Sequence, residues 1–198
     1  ETQPNGAFTS SCGQLIYRAD ALPESYRGNY FVCDPANNLI HRCLLERKGA
    51  EFSVRRAPGE ERSEFLASTD QWFRPINLSI GPDGAIYVVD MYREIIEDFS
   101  AIPRVLQQQY AASLIAGKDR GRVWRLAAAR SPTKHGKLEP LPGDASVAQL
   151  VGHLANSNPW QRETAQRHDP SHEHGQGHAQ PHDHGHSHGH DHDHDHHH

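Results

Sequence analysis

The sequence predicts a mainly β fold, because one strand-like phrase occurs twice and each copy is followed by a second strand-like run. The phrase RGNYFVCD at residues 27–34 returns as DGAIYVVD at 83–90, 56 residues later. NLIHRCLL (38–45) follows the first copy, and GRVWRLAA (121–128) follows the second. The apolar part of each phrase is continuous rather than alternating, which is typical of strands covered on both faces. We therefore expect a strand-turn-strand unit that is repeated.

The two copies differ in the connection between their strands. In the first copy the connection is DPANN (34–38), and proline followed by two asparagines is typical of a tight hairpin turn. In the second copy residues 93–119 take its place. After Pro103 in that segment, apolar residues recur every fourth position, at Leu106, Tyr110 and Leu114. This spacing predicts a short helix inserted between the strands.

Repeated antiparallel units with Gly and Asp at the turns indicate blades of a β-propeller, which recur about every 40 to 50 residues. The alternative is chance recurrence of common β-strand residues. Two blades cannot close a ring, so residues 1–128 are predicted to be a partial β-propeller of about two blades, part of something larger. We expect a linker at 129–146, the start of a helical hairpin at 147–167 and a disordered His-rich tail at 168–198.

Charge and hydropathy argue against a nucleic-acid partner and against a transmembrane segment. Six of the 25 acidic residues lie in the tail, which leaves 19 against 20 Lys and Arg in the body. The body therefore has no basic excess of the kind that marks nucleic-acid binding. No apolar run is long enough to cross a bilayer, and the chain does not begin with a signal-peptide pattern. We expect neither a nucleic-acid partner nor a transmembrane segment in this chain.

The three cysteines lack the spacing of a metal, redox or haem motif. Cys12, Cys33 and Cys43 form no CxxC pair. Cys43 is expected to be a buried thiol. For Cys12 and Cys33 two interpretations stay open: buried thiols, or a disulfide that would indicate an oxidising compartment.

The second copy carries a family resemblance. FRPINLSIGPDGAIYVVDMYR (73–93) with GRVWRL (121–126) resembles the RP…GPDGxLYVxD…GRIYR pattern of glucose/sorbosone dehydrogenase-like six-bladed propellers. Residues 12 to about 127 look like the C-terminal propeller region of PVC-type haem-binding, membrane-bound dehydrogenases. VAQLVGHLANSNPWQRETAQR (147–167) resembles the opening of the HEAT-like repeats of that family, with Asn158 as a cap and Pro159 early in the second helix.

The resemblance implies a periplasmic or otherwise extracytoplasmic oxidoreductase that acts on sugar-like alcohols or aldehydes. It implies pyrroloquinoline quinone and calcium as cofactors of the complete family protein. The haem of the family is attached through CxxCH, which this sequence lacks, so no haem is expected in this chain. An isolated pair of blades is expected to be inactive by itself.

Arg74 is the first candidate for a functional residue, because the resembling dehydrogenases carry a polar segment here that faces the central channel. The resemblance implies contact with an anion or with the quinone cofactor. The alternative is a structural salt bridge to Asp70 or Asp83.

Further candidate functional residues lie at or just after the end of the second copy of the phrase, residues 83–90. A carboxylate beside an arginine can orient a hydroxyl substrate or transfer a proton. Asp34, however, occupies the matched position in the first copy, and a repeated Asp is more often a turn cap that accepts backbone N–H groups. We therefore favour a structural role for Asp90. The candidates in this group are Asp90, Tyr92, Arg93, Glu94 and Glu97.

Fourteen of the 17 histidines follow Arg167, where they alternate with Asp or Gly. Imidazole binds Zn, Ni and Cu, and interleaved carboxylates complete the coordination shell. The alternatives are a tag or an accidental junction with unrelated sequence. The predicted ligands are His172, His174, His178, His182, His184, His186, His188, His190, His192, His194, His196, His197 and His198. The body histidines His41, His135 and His153 have no partner at catalytic spacing and are not expected to act as bases.

Three functions remain open on the sequence. The first is a part of an extracytoplasmic propeller oxidoreductase. The second is a non-catalytic binding or scaffold piece. The third is metal sequestration by the tail.

Overall fold

The computed structural model describes residues 8–129, 141 and 143–167. The strands are β1 (Cys12–Ile16), β2 (Tyr30–Asp34), β3 (Leu39–Lys48), β4 (Glu51–Arg56), β5 (Leu66–Ala67), β6 (Pro75–Ile80), β7 (Ile86–Asp90) and β8 (Arg122–Leu126). The helices are α1 (Arg104–Gln109), α2 (Ala111–Ile115), α3 (Val147–Leu154) and α4 (Pro159–Arg167), with 3₁₀ turns at Glu24–Tyr26 and Phe99–Ala101. Most of the predicted linker and all of the predicted His-rich tail lie outside the described residues.

The strands form two antiparallel sheets, which confirms the mainly β prediction. The first sheet has the order β1-β2-β3-β4, and the short β5 also pairs with β3. The second sheet has the order β6-β7-β8. Within each sheet, strands that follow one another in the chain are neighbours, apart from β5.

The predicted repeat is present as matching strands in matching register. β2 and β7 begin and end 56 residues apart. Phe31 lies opposite Arg42 in the first sheet, and Tyr87 lies opposite Arg125 in the second. The turn glycines that precede the strands, Gly28 and Gly84, share a left-handed backbone, with φ of 79° and 76°. The second sheet therefore repeats the β1-β2-β3 meander of the first.

The prediction missed β1 and β4 of the first sheet and β6 of the second. β1 is five residues long and is interrupted by a bulge at Gly13. β4 is almost wholly exposed, so it carries no buried apolar run. The sequence therefore predicted only the hairpin of each unit, β2–β3 and β7–β8, while the first sheet has five strands and the second has three.

The predicted turns form as expected. In the β2–β3 hairpin Asn38 takes the left-handed conformation, with φ of 56°. In the segment between β7 and β8, Pro103 precedes α1, and the predicted helix is split at Tyr110 into α1 and α2. The amide of Tyr110 still donates to Leu106 O at 2.8 Å, so the four-residue spacing is retained across the break.

The core lies between the two sheets. Phe31 and Ile40 of the first sheet pack in one cluster with Ile86 and Val88 of the second, and all four side chains are buried. Tyr17 joins the cluster at its edge, where its hydroxyl donates to Gly84 O at 2.9 Å and accepts from the amide of Leu22. Face-to-face packing of antiparallel sheets around shared apolar side chains gives this region its stability.

The C-terminal helices form where they are predicted. A capping box of Ser146 and Gln149 starts α3, and Asn158 Oδ1 accepts from the amide of Trp160 at 2.9 Å to start α4. Of the apolar residues of α3, Leu150 is buried, whereas Val147 and Val151 are exposed. The Asn158 side chain also donates to Pro82 O at 2.6 Å, which ties this helical pair to the β6–β7 turn.

No helix in the described ranges is long and apolar enough to span a membrane, in agreement with the prediction for this chain.

Gly13 sets how closely the two sheets approach at β1 and β6. Its φ is +59°, and a Cβ there would lie 2.6 Å from Asn77 Cα and 2.8 Å from Ile76 O. Gly13→Ala therefore combines left-handed strain with a backbone clash, and we expect it to lower the free energy of unfolding by about 3 kcal/mol or more. Urea unfolding would measure this.

The matched control is Gly28→Ala. Its φ is +79°, but a Cβ there meets nothing within 4 Å. This variant isolates the backbone strain, with an expected loss of about 1 kcal/mol. Equal losses in the two variants would mean that β1 and β6 do not approach each other as closely as described.

Candidate functional site

The end of β7 places the carboxylate of Asp90 in the interior, with 1% of the residue exposed. Its Oδ1 accepts from the backbone amides of Arg74 and Tyr92, both at 2.9 Å. Its Oδ2 accepts from the indole of Trp124 at 3.0 Å, and Arg122 Nε lies 3.8 Å away. These donors surround both carboxylate oxygens, which is the turn-capping arrangement expected from the sequence.

Asp34 has the same role at the end of β2. It is fully buried and accepts from Ser10 Oγ at 2.8 Å and from the side-chain amide of Asn37 at 2.9 Å. The backbone amide of Asn37 also donates to it, at 3.3 Å. Because both aspartates bond to groups just beyond their strands, the repeated Asp marks a repeated turn.

Arg74 uses all three of its side-chain nitrogens on backbone carbonyls. Nε donates to Arg93 O at 3.0 Å, Nη1 to Pro35 O at 2.8 Å and Nη2 to Glu94 O at 2.8 Å. Pro35 follows β2 whereas Arg93 and Glu94 follow β7, so the guanidinium joins the turns of the two repeats. Burial lowers the pKa of Arg74, and the charge of Glu97 opposes that shift.

The expected alternative for Arg74, an ion pair with Asp70 or Asp83, is wrong for the described residues. Asp70 accepts from the amide of Trp72 at 3.0 Å and starts a turn. Asp83 pairs with Arg125, whose Nε lies 2.6 Å from Oδ2. Arg74 is instead held by backbone carbonyl acceptors. The sequence prediction included only acidic partners and so did not identify them.

The remaining candidates surround these two side chains. Tyr92 has a left-handed backbone with φ of 50°, and the guanidinium carbon of Arg122 lies 3.7 Å from its ring centroid, a cation–π contact. Arg93 donates to Ile115 O at 3.3 Å and so holds the inserted helices. Glu97 is exposed. The structure thus brings the predicted residues together at one end of the sheets.

A quinone cofactor with carboxylate groups would need free guanidinium donors, and calcium would need free carboxylate oxygens. The nitrogens of Arg74 are bonded to carbonyls, and both oxygens of Asp90 accept hydrogen bonds from the protein. These residues therefore do not fit pyrroloquinoline quinone or calcium as their ligand set. The cofactor contact implied for Arg74 has no free donor set in this arrangement.

A concave pocket of about 260 Å³ adjoins Trp124, between β5 and the second sheet. The indole N–H of Trp124 donates to Asp90, so the apolar part of the ring lines the pocket. Such a lining suits an apolar group rather than a sugar hydroxyl. The lining residues are Leu66, Ala67, Ser68, Phe73, Val88, Trp124 and Leu126.

The cysteines are free thiols in the structure. Cys12 lies directly opposite Cys33 in the β1–β2 pairing. Burial raises the pKa of Cys33 to about 12, and Cys12 contributes to the shift. The pairing register is compatible with a disulfide between Cys12 and Cys33, which stays a prediction.

Sequence reasoning missed a second polar cluster on β3. His41 and Cys43 are both buried and project from the same face of the strand, two residues apart. His41 bonds to Glu64, and Glu64 bonds to Arg56. The HxC spacing on a predicted strand indicates that His41 and Cys43 are neighbours. Glu64 lies 23 residues from His41, and nothing in the local pattern brings it there.

A family model described as "Domain of unknown function (DUF7133)" matches residues 1–130, which is more than half of the chain. No curated protein matches, and no solved structure matches. The chain belongs to the DUF7133 family.

The capping role of Asp90 predicts a large loss of stability on its removal. Asp90→Ala removes the buried carboxylate that accepts from two backbone amides and an indole N–H, so we expect the free energy of unfolding to fall by about 3 kcal/mol. Urea unfolding would measure the change. The control is Asp98→Ala, since Asp98 is exposed and caps only the turn at Ser100. A loss no larger than that of the control would contradict the cap.

Proposed function

We propose that this member of the DUF7133 family is a pair of stacked blades of a β-propeller of the glucose/sorbosone dehydrogenase-like kind. The observation that carries the proposal is the repeat: a first antiparallel sheet, in which β5 adds to the order β1-β2-β3-β4, packs face to face on a second sheet that repeats its first three strands. Four-stranded antiparallel sheets in radial repetition are the building units of propellers. The sequence resemblance over residues 12 to about 127 supports the same assignment.

Within this architecture the described region acts as scaffold rather than as a catalytic centre by itself. Supporting this, the guanidinium of Arg74 donates to backbone carbonyls of both repeats. Both carboxylate oxygens of Asp90 accept from backbone amides or from the indole of Trp124. A catalytic acid, base or anion contact needs an atom that can reach a substrate. The extracytoplasmic location and the sugar-like substrate remain expectations from the resemblance, and they concern a complete propeller.

We propose metal sequestration by the tail as a second function, on a separate observation. Among the described residues no group of three or more His, Cys, Asp or Glu side chains is placed to hold a metal ion. Residues 168–198 contain 14 histidines with interleaved carboxylates. The imidazoles and carboxylates of the tail are the ligands on which this proposal rests.

The scaffold proposal predicts no turnover. With added pyrroloquinoline quinone, calcium and an artificial electron acceptor, the purified chain should oxidise sugars no faster than a blank. Arg74→Ala should leave that background unchanged but lower the free energy of unfolding by about 2 kcal/mol, because three carbonyls lose a charged donor.

The control for Arg74→Ala is Arg104→Ala, at the exposed start of α1, which should alter neither quantity. Turnover above the blank that disappears in a folded Arg74→Ala protein would contradict the scaffold proposal. It would make Arg74 a functional residue.

The tail proposal predicts binding of several Zn or Ni ions per chain near neutral pH. Neutral imidazole is the ligand and free histidine has a pKa of about 6.5, so the ions should leave as the pH falls below about 6. Titration calorimetry would compare the full chain with a chain ending at Arg167. A full-length variant with His→Gln at every tail position is the matched control. Binding retained by either would place a metal site in the body.

A further inference from the structure

The fourth strand of the first sheet is interrupted, and the interruption builds a buried polar cluster. β4 pairs with β3 as far as Arg56, opposite Cys43, and β5 resumes the pairing at Leu66, opposite Ile40. Residues 57–65 leave the sheet between these points. On their return they place Glu64 beside His41, a contact that an uninterrupted strand would not make.

Three side chains in this cluster form a relay. Cys43 Sγ lies 3.0 Å from His41 Nε2, and His41 Nδ1 lies 2.5 Å from Glu64 Oε2. Arg56 Nη2 donates to the other Glu64 oxygen at 2.7 Å. Since Glu64 only accepts, the neutral imidazole carries its proton on Nδ1, which leaves the lone pair of Nε2 facing the thiol. The imidazole is thus oriented to accept the proton of Cys43.

The relay suits a thiol that is protonated at rest and becomes a nucleophile only when it reacts. Burial raises the pKa of Cys43, the charge of Arg56 opposes that shift, and the charge of Glu64 adds to it. Transfer of the thiol proton to His41 gives an imidazolium, which the Glu64 carboxylate stabilises. A thiol, an imidazole base and an orienting carboxylate are the parts of an activated cysteine nucleophile.

The low solvent exposure of Cys43 and His41 limits the reactant to a small molecule. Cys43 is only 7% exposed and His41 6% exposed. The ring of Phe8 covers His41, with centroids 4.8 Å apart. An exposure this small excludes a peptide or a sugar from the sulfur, so the reactant in the proposal has the size of a two-oxygen peroxide.

We propose that Cys43 is a site of oxidation by hydrogen peroxide, with His41 as its proton acceptor and Glu64 as the residue that positions His41. The thiolate sulfur attacks one peroxide oxygen, an S–O bond forms and the O–O bond breaks. Sulfur is oxidised to a sulfenic acid and the peroxide is reduced. The departing hydroxide takes the proton from His41 and leaves as water.

The other two cysteines provide internal comparisons. Cys33 pairs with Ile40 and Tyr30 pairs with Cys43, so Cys33 and Cys43 lie on opposite faces of the sheet. Cys12 faces Cys33 across β1 and β2. The sheet therefore separates both from a sulfenic acid on Cys43, and its reduction would need an external thiol.

The test measures oxidation of each cysteine in the full chain. A pulse of hydrogen peroxide is stopped with catalase, the protein is unfolded in urea with dimedone, and peptide mass spectrometry quantifies sulfenic acid at each position. Cys43 should react at least about tenfold faster than Cys33, because the sulfur of Cys43 has the imidazole of His41 beside it. His41→Gln should slow the oxidation of Cys43 by about 100-fold or more.

Glu64 has a matched control on the same segment. Glu60 pairs with Arg42 across the opposite face of β3, with 2.7 Å between Oε1 and Nη2. Glu64→Gln should slow the oxidation of Cys43 by roughly tenfold, and Glu64→Asp should recover part of the rate. Glu60→Gln should leave the rate of Cys43 oxidation unchanged. This pattern separates positioning from a general loosening of residues 57–65.

Two results would overturn the proposal. One is oxidation of Cys43 in the native protein at a rate no greater than that of Cys33, a comparison that needs no variant. The other is equal rates in the wild-type protein and in His41→Gln that retains the native circular dichroism spectrum.

Discussion

The buried carboxylate of Asp90 holds together the region where the two repeats meet. A buried charge is tolerated only when it is fully hydrogen-bonded. The donors to Asp90 come from the start of β6, the end of β7 and the middle of β8. One side chain therefore fixes three strands at once. Because the amide of Arg74 is one of the donors, its guanidinium is held within reach of Pro35 in the first repeat.

The parts of this arrangement that repeat in the sequence could be predicted from it. Asp34 and Asp90 occupy matched positions, and a structural role follows from the repetition itself. The β2–β3 turn was also predictable, because proline and asparagine restrict the backbone in ways that depend on residue type alone. The helices after Pro103 and at Asn158 follow from local caps and spacing in the same way.

The contacts that join distant segments could not be predicted. The acceptors of Arg74 are backbone carbonyls, which every residue carries, so no residue type in the sequence marks them. β4 could not be identified by burial, because Phe52 and Val54 are exposed and the strand is held by its pairing with β3. Glu64 reaches His41 only because the pairing of β3 changes from β4 to β5, a property of the folded sheet.

The segment inserted between β7 and β8 has a consequence for how the chain folds. β2 and β3 are separated by residues 35–38, whereas β7 and β8 are separated by residues 91–121. The entropy lost on closing a loop rises with the logarithm of its length, so pairing β8 with β7 starts from a larger loss than pairing β3 with β2. Short-range pairs also form sooner than long-range ones. We therefore expect β3 to pair with β2 before β8 pairs with β7.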